Sequence, residues 1–195
     1  MSYLDIPILA SLKHGLFVAK TDVASWPLIG FLAKVTHTHF VSRKATDTLR
    51  ERKNISSSLE NGDAIFLFPE GSSSNGRDIL PFKSGLLSTA LLPLKSTDII
   101  IQSISITYGP DISQHERDLY AWYGDMDLCP HIWQLLGRKE KIEVIVNFHK
   151  PRCPSTFKDR KDLTKWAEKE IGSGLEEAFI SPLKEINLLP AGNQF

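Results

Sequence analysis

Apolar positions along the 195 residues fall into short runs separated by polar, Gly/Ser-rich or Pro-bearing stretches. Gly15 to Lys20 (GLFVAK) and Thr38 to Ser42 (THFVS) are β-branched and aromatic, the pattern of short strands. Between them, Pro27 to Val35 predicts a brief apolar helix with proline in its first turn. Thr46 to Asn61 is polar and helix-compatible, anchored by Leu49, Ile55 and Leu59 and stopped by Asn61-Gly62. Asp63 to Phe68 (DAIFLF) is nearly continuous in apolar residues, as in a strand covered on both faces. After a Ser/Gly/Asn loop, Ser84 to Leu92 carries apolar residues at 86, 87, 90 and 91, a helical spacing. Ile99 to Tyr108 and Ile142 to Phe148 predict two further strands. Leu163, Trp166, Ala167, Ile171, Leu175, Ala178 and Phe179 form a 3.6-period stripe on a C-terminal helix over about residues 159–180. Residues 109–138 are irregular and aromatic, and no element is assigned there. Strands alternating with helices predict an α/β fold, a mostly parallel sheet flanked by helices, in one domain spanning 1–195.

Composition narrows the class. Lys+Arg and Asp+Glu balance at 23 each, which removes the basic excess of a nucleic-acid binder. Cys129 and Cys153 are the only cysteines, too few for a disulfide scaffold and without partners for zinc or redox work. The longest mostly apolar window, Val23 to Val35, falls well short of the ~20 residues that cross a bilayer. The chain opens on Met1-Ser-Tyr-Leu-Asp5-Ile-Pro-Ile-Leu-Ala10, already at the hydrophobic density of a core, so an incomplete N-terminus is expected.

In a parallel sheet, ligands bind beyond the carboxyl ends of the strands, which directs attention to Phe68-Pro69-Glu70-Gly71-Ser72. Pro69 keeps Phe68 extended, and Gly71 lets the backbone turn with positive φ. Ser72, Ser73 and Ser74 add hydroxyls, while Arg77 and Lys83 add positive charge. Backbone donors beside cations form a cradle for an anion such as phosphate. An ordinary solvated turn fits the same composition. Arg43 closes the 38–42 strand, as an anion ligand or as a surface charge. His37-x-His39 has the spacing of a metal pair but no third ligand, so solvated or packed histidines are expected. Tyr120, Trp122, Tyr123 and Trp133 read first as core packing, with an acyl-chain channel or a membrane belt as alternatives. Val23 to Ala33 is either a buried helix or a segment dipping into a bilayer interface.

Two blocks in order carry a resemblance. Phe40-Val-Ser-Arg43 followed by Phe68-Pro-Glu-Gly-Ser72 resembles the second and third blocks of the glycerolipid acyltransferase superfamily, in particular the bacterial 1-acylglycerol-3-phosphate (lysophosphatidic acid) acyltransferases. Leu80-Pro-Phe-Lys-Ser-Gly85, Ile101-Gln-Ser-Ile-Ser-Ile106 and Tyr120-Ala-Trp-Tyr-Gly-Asp-Met126 are similar to later segments, so the likeness covers about residues 1–150. Ser2 to Pro7 resembles the right half of the first block, Asn-His-x4-Asp, which makes Asp5 its aspartate and places its histidine before Met1. No histidine of the chain has an aspartate five residues on.

The resemblance implies a fatty acyl group moved from acyl-carrier protein or coenzyme A to the hydroxyl of lysophosphatidic acid, with another lyso-lipid such as lyso-ornithine lipid as the alternative acceptor. It implies no metal and no bound cofactor. It places the reaction at a membrane surface, the cytoplasmic face of the inner membrane. The motif histidine would take the hydroxyl proton and Asp5 would steady the imidazolium. Arg43, Glu70, Gly71, Ser72 and Lys83 would hold the acceptor, with Glu70 bonding an acceptor hydroxyl or orienting Arg43 or Lys83. A non-catalytic lipid-binding domain remains the alternative from another class. Five residues along a straight helix turn a side chain about 140° away, so a histidine and Asp5 can meet only across a turn entering a helix.

Overall fold

Helix α1 (Asp5–Leu12) begins directly after a turn at Tyr3–Leu4, with Asp5 as its first residue. Pro7 sits in the opening turn, where a missing N–H removes no helical bond. The computed structural model describes residues 3–20, 39–41, 48–92 and 99–180, and the account below concerns those residues. Arg43, His37 and the segments expected at Val23–Ala33 and Pro27–Val35 lie outside them.

Strands β1 (Leu16–Lys20), β2 (His39–Val41) and β3 (Ile65–Leu67) form a parallel sheet in the order β2-β1-β3, with Val18 opposite both His39 and Leu67. Helix α2 (Thr48–Glu60) joins β2 to β3 and stops before Gly62, whose φ of 86° a side chain would resist. The expected helix over Ser84–Leu92 is split into α3 (Ser84–Leu87) and a 3₁₀ turn over Ser88–Leu91. Ser88 and Thr89 hydroxyls donate to the carbonyls of Gly85 and Leu86 at 2.7 Å each, competing with the α-helical ladder.

Strands β4 (Ile104–Tyr108) and β5 (Val144–Phe148) pair antiparallel, so the parallel trio is joined by a ribbon that the alternating pattern did not foresee. Only Ile104–Tyr108 of the expected Ile99–Tyr108 strand is regular, while Ile101 makes one isolated bridge to Arg152. Two short helices occupy the stretch left unassigned, α4 (Gln114–Asp118) and α5 (Leu128–Leu136). Ser113 and Glu116 close a capping box on α4, a sequence signal passed over. Helix α6 (Arg160–Ile180) matches the C-terminal stripe.

Two apolar clusters hold these parts. Leu9, Phe17 and Phe66 are buried together, with Ile6, Phe68, Ile104, Ile106 and Val146 against them, so α1, the parallel sheet and the ribbon share a core. The rings of Phe17 and Phe66 stack 4.9 Å apart. The second cluster joins Phe82 and Leu87 to Phe157, Leu163 and Ala167, fastening α6 over the segment that follows β3. There, the Phe82 N–H donates to Glu168 Oε1 at 2.8 Å. Helix α6 also lies close on β4, where Gly174 leaves room for a Ser105–His149 hydrogen bond of 3.1 Å (Oγ to Nε2). A Cβ on Gly174 would lie 2.5 Å from both partners.

Candidate functional site

Strand β3 runs straight into Phe68, and the chain reverses in a turn closed by the Gly71 N–H donating to the Phe68 carbonyl at 3.2 Å. Pro69 supplies the fixed φ of the turn's second residue, and Gly71 follows with φ of 63°. The loop returns to its start at Lys83, whose N–H donates to the Pro69 carbonyl at 2.8 Å. Lys83 also lays its side chain over the turn, since a Cβ on Gly71 would lie 3.1 Å from its Nζ. The expected neighbours Glu70, Gly71 and Lys83 are therefore together. Ser72 is solvent-exposed, and Ser74 is the buried hydroxyl of the loop, accepting the Gly76 N–H at 3.3 Å. Arg77 is not part of the cradle: its guanidinium pairs with Asp118 at 2.9 Å. Strand β2 ends two residues before Arg43, which lies outside the described residues.

Asp5 arrives from the other side. Its carboxylate is 2% exposed and accepts a 2.6 Å hydrogen bond from the Tyr108 hydroxyl at the end of β4. The helix N-terminus favours the negative charge. Burial, then the charge of Asp5 and the bond to it, hold the Tyr108 hydroxyl far above its ordinary pKa, so it remains a donor at any working pH. Tyr108 is the residue that motif reading missed; it shares a strand face with Ile104 and Ile106, and no local pattern points from it to Asp5.

One cavity of about 1070 Å³ brings these groups together, lined by Asp5, Tyr108, Phe68, Pro69, Glu70 and Ser74. Glu70 feels Asp5 across it. Burial chiefly raises the Glu70 pKa, the Asp5 charge adds to the rise, and a hydrogen bond from the Leu80 backbone opposes it. Glu70 Oε2 is buried with no hydrogen-bond partner among the described residues. An orphaned carboxylate oxygen facing a cavity is costly unless an incoming donor satisfies it. Away from these polar groups the cavity follows consecutive residues of β3 and β4 and is walled by apolar side chains including Phe82, Leu163 and Ile171.

The aromatic set divides. Tyr120 is buried and lines the cavity, as core packing predicts. Trp122 sits edge-on to Tyr3 at 6.2 Å. Tyr3 in turn bonds His131 Nδ1 at 3.1 Å, and burial pushes the Tyr3 hydroxyl up to about 12 while holding the His131 ring below its usual pKa. Tyr123 and Trp133 are exposed, which corrects the core reading for both. Among the described residues, no group of three or more His, Cys, Asp or Glu is placed to hold a metal ion, and no helix is long and apolar enough to cross a membrane.

A family model described as Acyltransferase matches residues 1–107. A lyso-ornithine lipid O-acyltransferase of Brucella abortus is 32% identical over 187 residues, covering 92% of this chain and 70% of the relative. A 1-acyl-sn-glycerol-3-phosphate acyltransferase of Neisseria gonorrhoeae is 25% identical over 149 residues, covering 76% of this chain and 56% of the relative. The crystal structure of the 1-acyl-sn-glycerophosphate acyltransferase PlsC from Thermotoga maritima superimposes with a TM-score of 0.60 over 94% of this chain and 65% of that one, at 22% identity, which supports the α/β fold.

Proposed function

The chain belongs to the acyltransferase family, and from that premise we propose that it serves the transfer of a fatty acyl group from an acyl-carrier-protein or coenzyme A thioester to the free hydroxyl of a lyso-lipid. One observation supports this most: the Asp5 carboxylate and the buried Glu70 Oε2, unpartnered among the described residues, border one cavity that continues between apolar walls. The acceptor hydroxyl attacks the thioester carbonyl carbon, its proton passes to the motif histidine, and the C–S bond breaks to release the thiol. Asp5 is this chain's share of that base: held by Tyr108 at the start of α1, it fixes the imidazole tautomer and steadies the imidazolium. Glu70 Oε2 accepts a hydrogen bond from the acceptor, and Lys83 with the Gly71 turn offers positive charge to the head group. The apolar walls take the acyl chain. The chemistry asks for neither metal nor bound cofactor, and its lipid acceptor sets it at a membrane surface, the cytoplasmic face of the inner membrane.

For the acceptor we favour lyso-ornithine lipid, because the relative of that name shares more sequence over more of this chain than the glycerol-phosphate enzyme does. Lysophosphatidic acid is the second reading, favoured by Lys83 lying over the Gly71 turn. An ornithine head group carries no phosphate, which separates the two. With the histidine of the first block in place, a thioester-consumption assay should show turnover with lyso-ornithine lipid well above that with lysophosphatidic acid. Arg43→Ala should then weaken acceptor use more than donor use. Preference for lysophosphatidic acid would select the second reading; transfer to neither, with the protein folded, would refute both.

A further inference from the structure

Helix α5 carries two apolar faces. Leu128, His131 and Leu135 turn inward, with His131 buried against Tyr3. Cys129, Ile132, Trp133 and Leu136 follow the i, i+3, i+4, i+7 spacing on the other side, and there Trp133 is 78% and Leu136 73% exposed. Met126 and Tyr123, just before the helix, are exposed as well. A tryptophan and a leucine side by side in water are costly unless something covers them.

The surroundings say what does. Exposed Lys139 and Lys141 follow the C-terminal end of the helix, soon after Leu136 in the chain, while Asp125 and Asp127 stand at its N-terminal end. Glu140 stands between the two lysines, and Arg138 just before them is occupied, lying 5.4 Å over the Tyr120 ring and 3.7 Å from Glu140. The apolar stripe is therefore polarised, with cations at the Trp133–Leu136 end. Even with Tyr123 and Met126 included, it offers on the order of 500 Å². A stable dimer needs roughly 800 Å² from each partner, whereas an interfacial helix needs only a few side chains sunk below the head groups.

We propose that the outer face of α5 is a lipid-docking surface, placing Trp133 and Leu136 at the head-group boundary of a bilayer while Lys139 and Lys141 meet lipid phosphates. The inner face ties this surface to the site, because the Tyr3–His131 bond joins α5 to the turn that presents Asp5. Docking thus brings a bilayer-borne substrate to the cavity. The choice of a lipid partner rests on the lyso-lipid reading above; the exposed stripe does not.

The test is co-sedimentation of the 195-residue chain with phosphatidylcholine vesicles, with and without phosphatidylglycerol, at low and high salt. The double variant Trp133→Ser/Leu136→Ser should bind roughly ten- to hundredfold more weakly to both kinds of vesicle. Lys139→Glu/Lys141→Glu should lose about tenfold or more on the phosphatidylglycerol vesicles and most of the salt dependence. Brominated lipid should quench the wild-type fluorescence, and the conservative Trp133→Phe should remove most of that quenching, a readout that does not depend on the serine variant folding. Undiminished binding of the folded double variant, absence of Trp133 quenching, or a wild-type dimer dissolved by the same substitutions would overturn the proposal. Transfer to a water-soluble short-chain acceptor is measured separately, on the protein with the histidine of the first block in place. Docking without transfer counts against the enzymatic reading alone, and transfer without docking against this surface alone.

Discussion

Tyr108→Phe removes a single oxygen, and its consequence can be worked from the geometry. The lost bond is short, 2.6 Å, and its acceptor is a carboxylate with 2% exposure. Hydrogen bonds to charged groups contribute about 1.5–3 kcal/mol, and a buried acceptor deprived of its donor lies toward the upper end. Asp5 keeps other contacts, so about 2 kcal/mol is expected rather than the full cost of an isolated charge. For a chain of this length each kcal/mol moves the melting midpoint by roughly 2–4 °C, giving a fall of about 4–8 °C by calorimetry. A double-mutant cycle with Asp5→Asn isolates the pair: the two losses should fall short of additivity by about 1.5 kcal/mol or more. In the histidine-bearing protein, bracing by Tyr108 should show in kcat, down by roughly ten- to thirtyfold, with the acceptor KM nearly unchanged. A midpoint within about 1 °C of wild type, or a coupling near zero, would refute the bond's importance. A loss confined to KM would assign Tyr108 to substrate binding instead.

Glu70→Gln should reduce transfer roughly ten- to hundredfold, because an amide is the weaker acceptor for a substrate donor. Its effect on stability has the opposite sign: burial raises the folded-state pKa above the unfolded value, so ionised Glu70 costs stability as pH rises through that range. The variant should melt with wild type at about pH 4 and above it at about pH 8, and equal midpoints at both would refute the burial argument. Gly174→Ala, which in an ordinary helix gains up to about 1 kcal/mol, should here lose about 1–3 kcal/mol, because the added methyl collides with His149 and Ser105. Any stabilisation on thermal melting would show that α6 lies farther from β4.

Local chemistry made much of this molecule legible in advance. The strand–turn at Phe68–Gly71 follows from proline, glycine and a β-rich run acting within five residues, and the stripe of α6 from its period alone. The antiparallel pairing of β4 with β5 was not legible, since strand direction is set by how the chain between Gly109 and Glu143 returns, and the helices there are short and weakly patterned. Motif spacing pointed to Asp5 and Glu70, and the fold places both on one cavity. Tyr108 was out of reach because its partner lies 103 residues away. The faces of α5 were equally hidden: both are apolar, and only packing decides which one meets the core.

The bond from the Phe82 N–H to Glu168 reaches beyond the stretch that the family model covers. A minimal catalytic unit trimmed to residues 1–107 would retain Asp5, Glu70 and Lys83 in its sequence yet strip the lid from Phe82 and Leu87. The loop that carries Lys83 back to the Gly71 turn is thus braced, through its neighbour Phe82, by the C-terminal helix, and variation along that helix can shift the turn without touching any residue of its motifs.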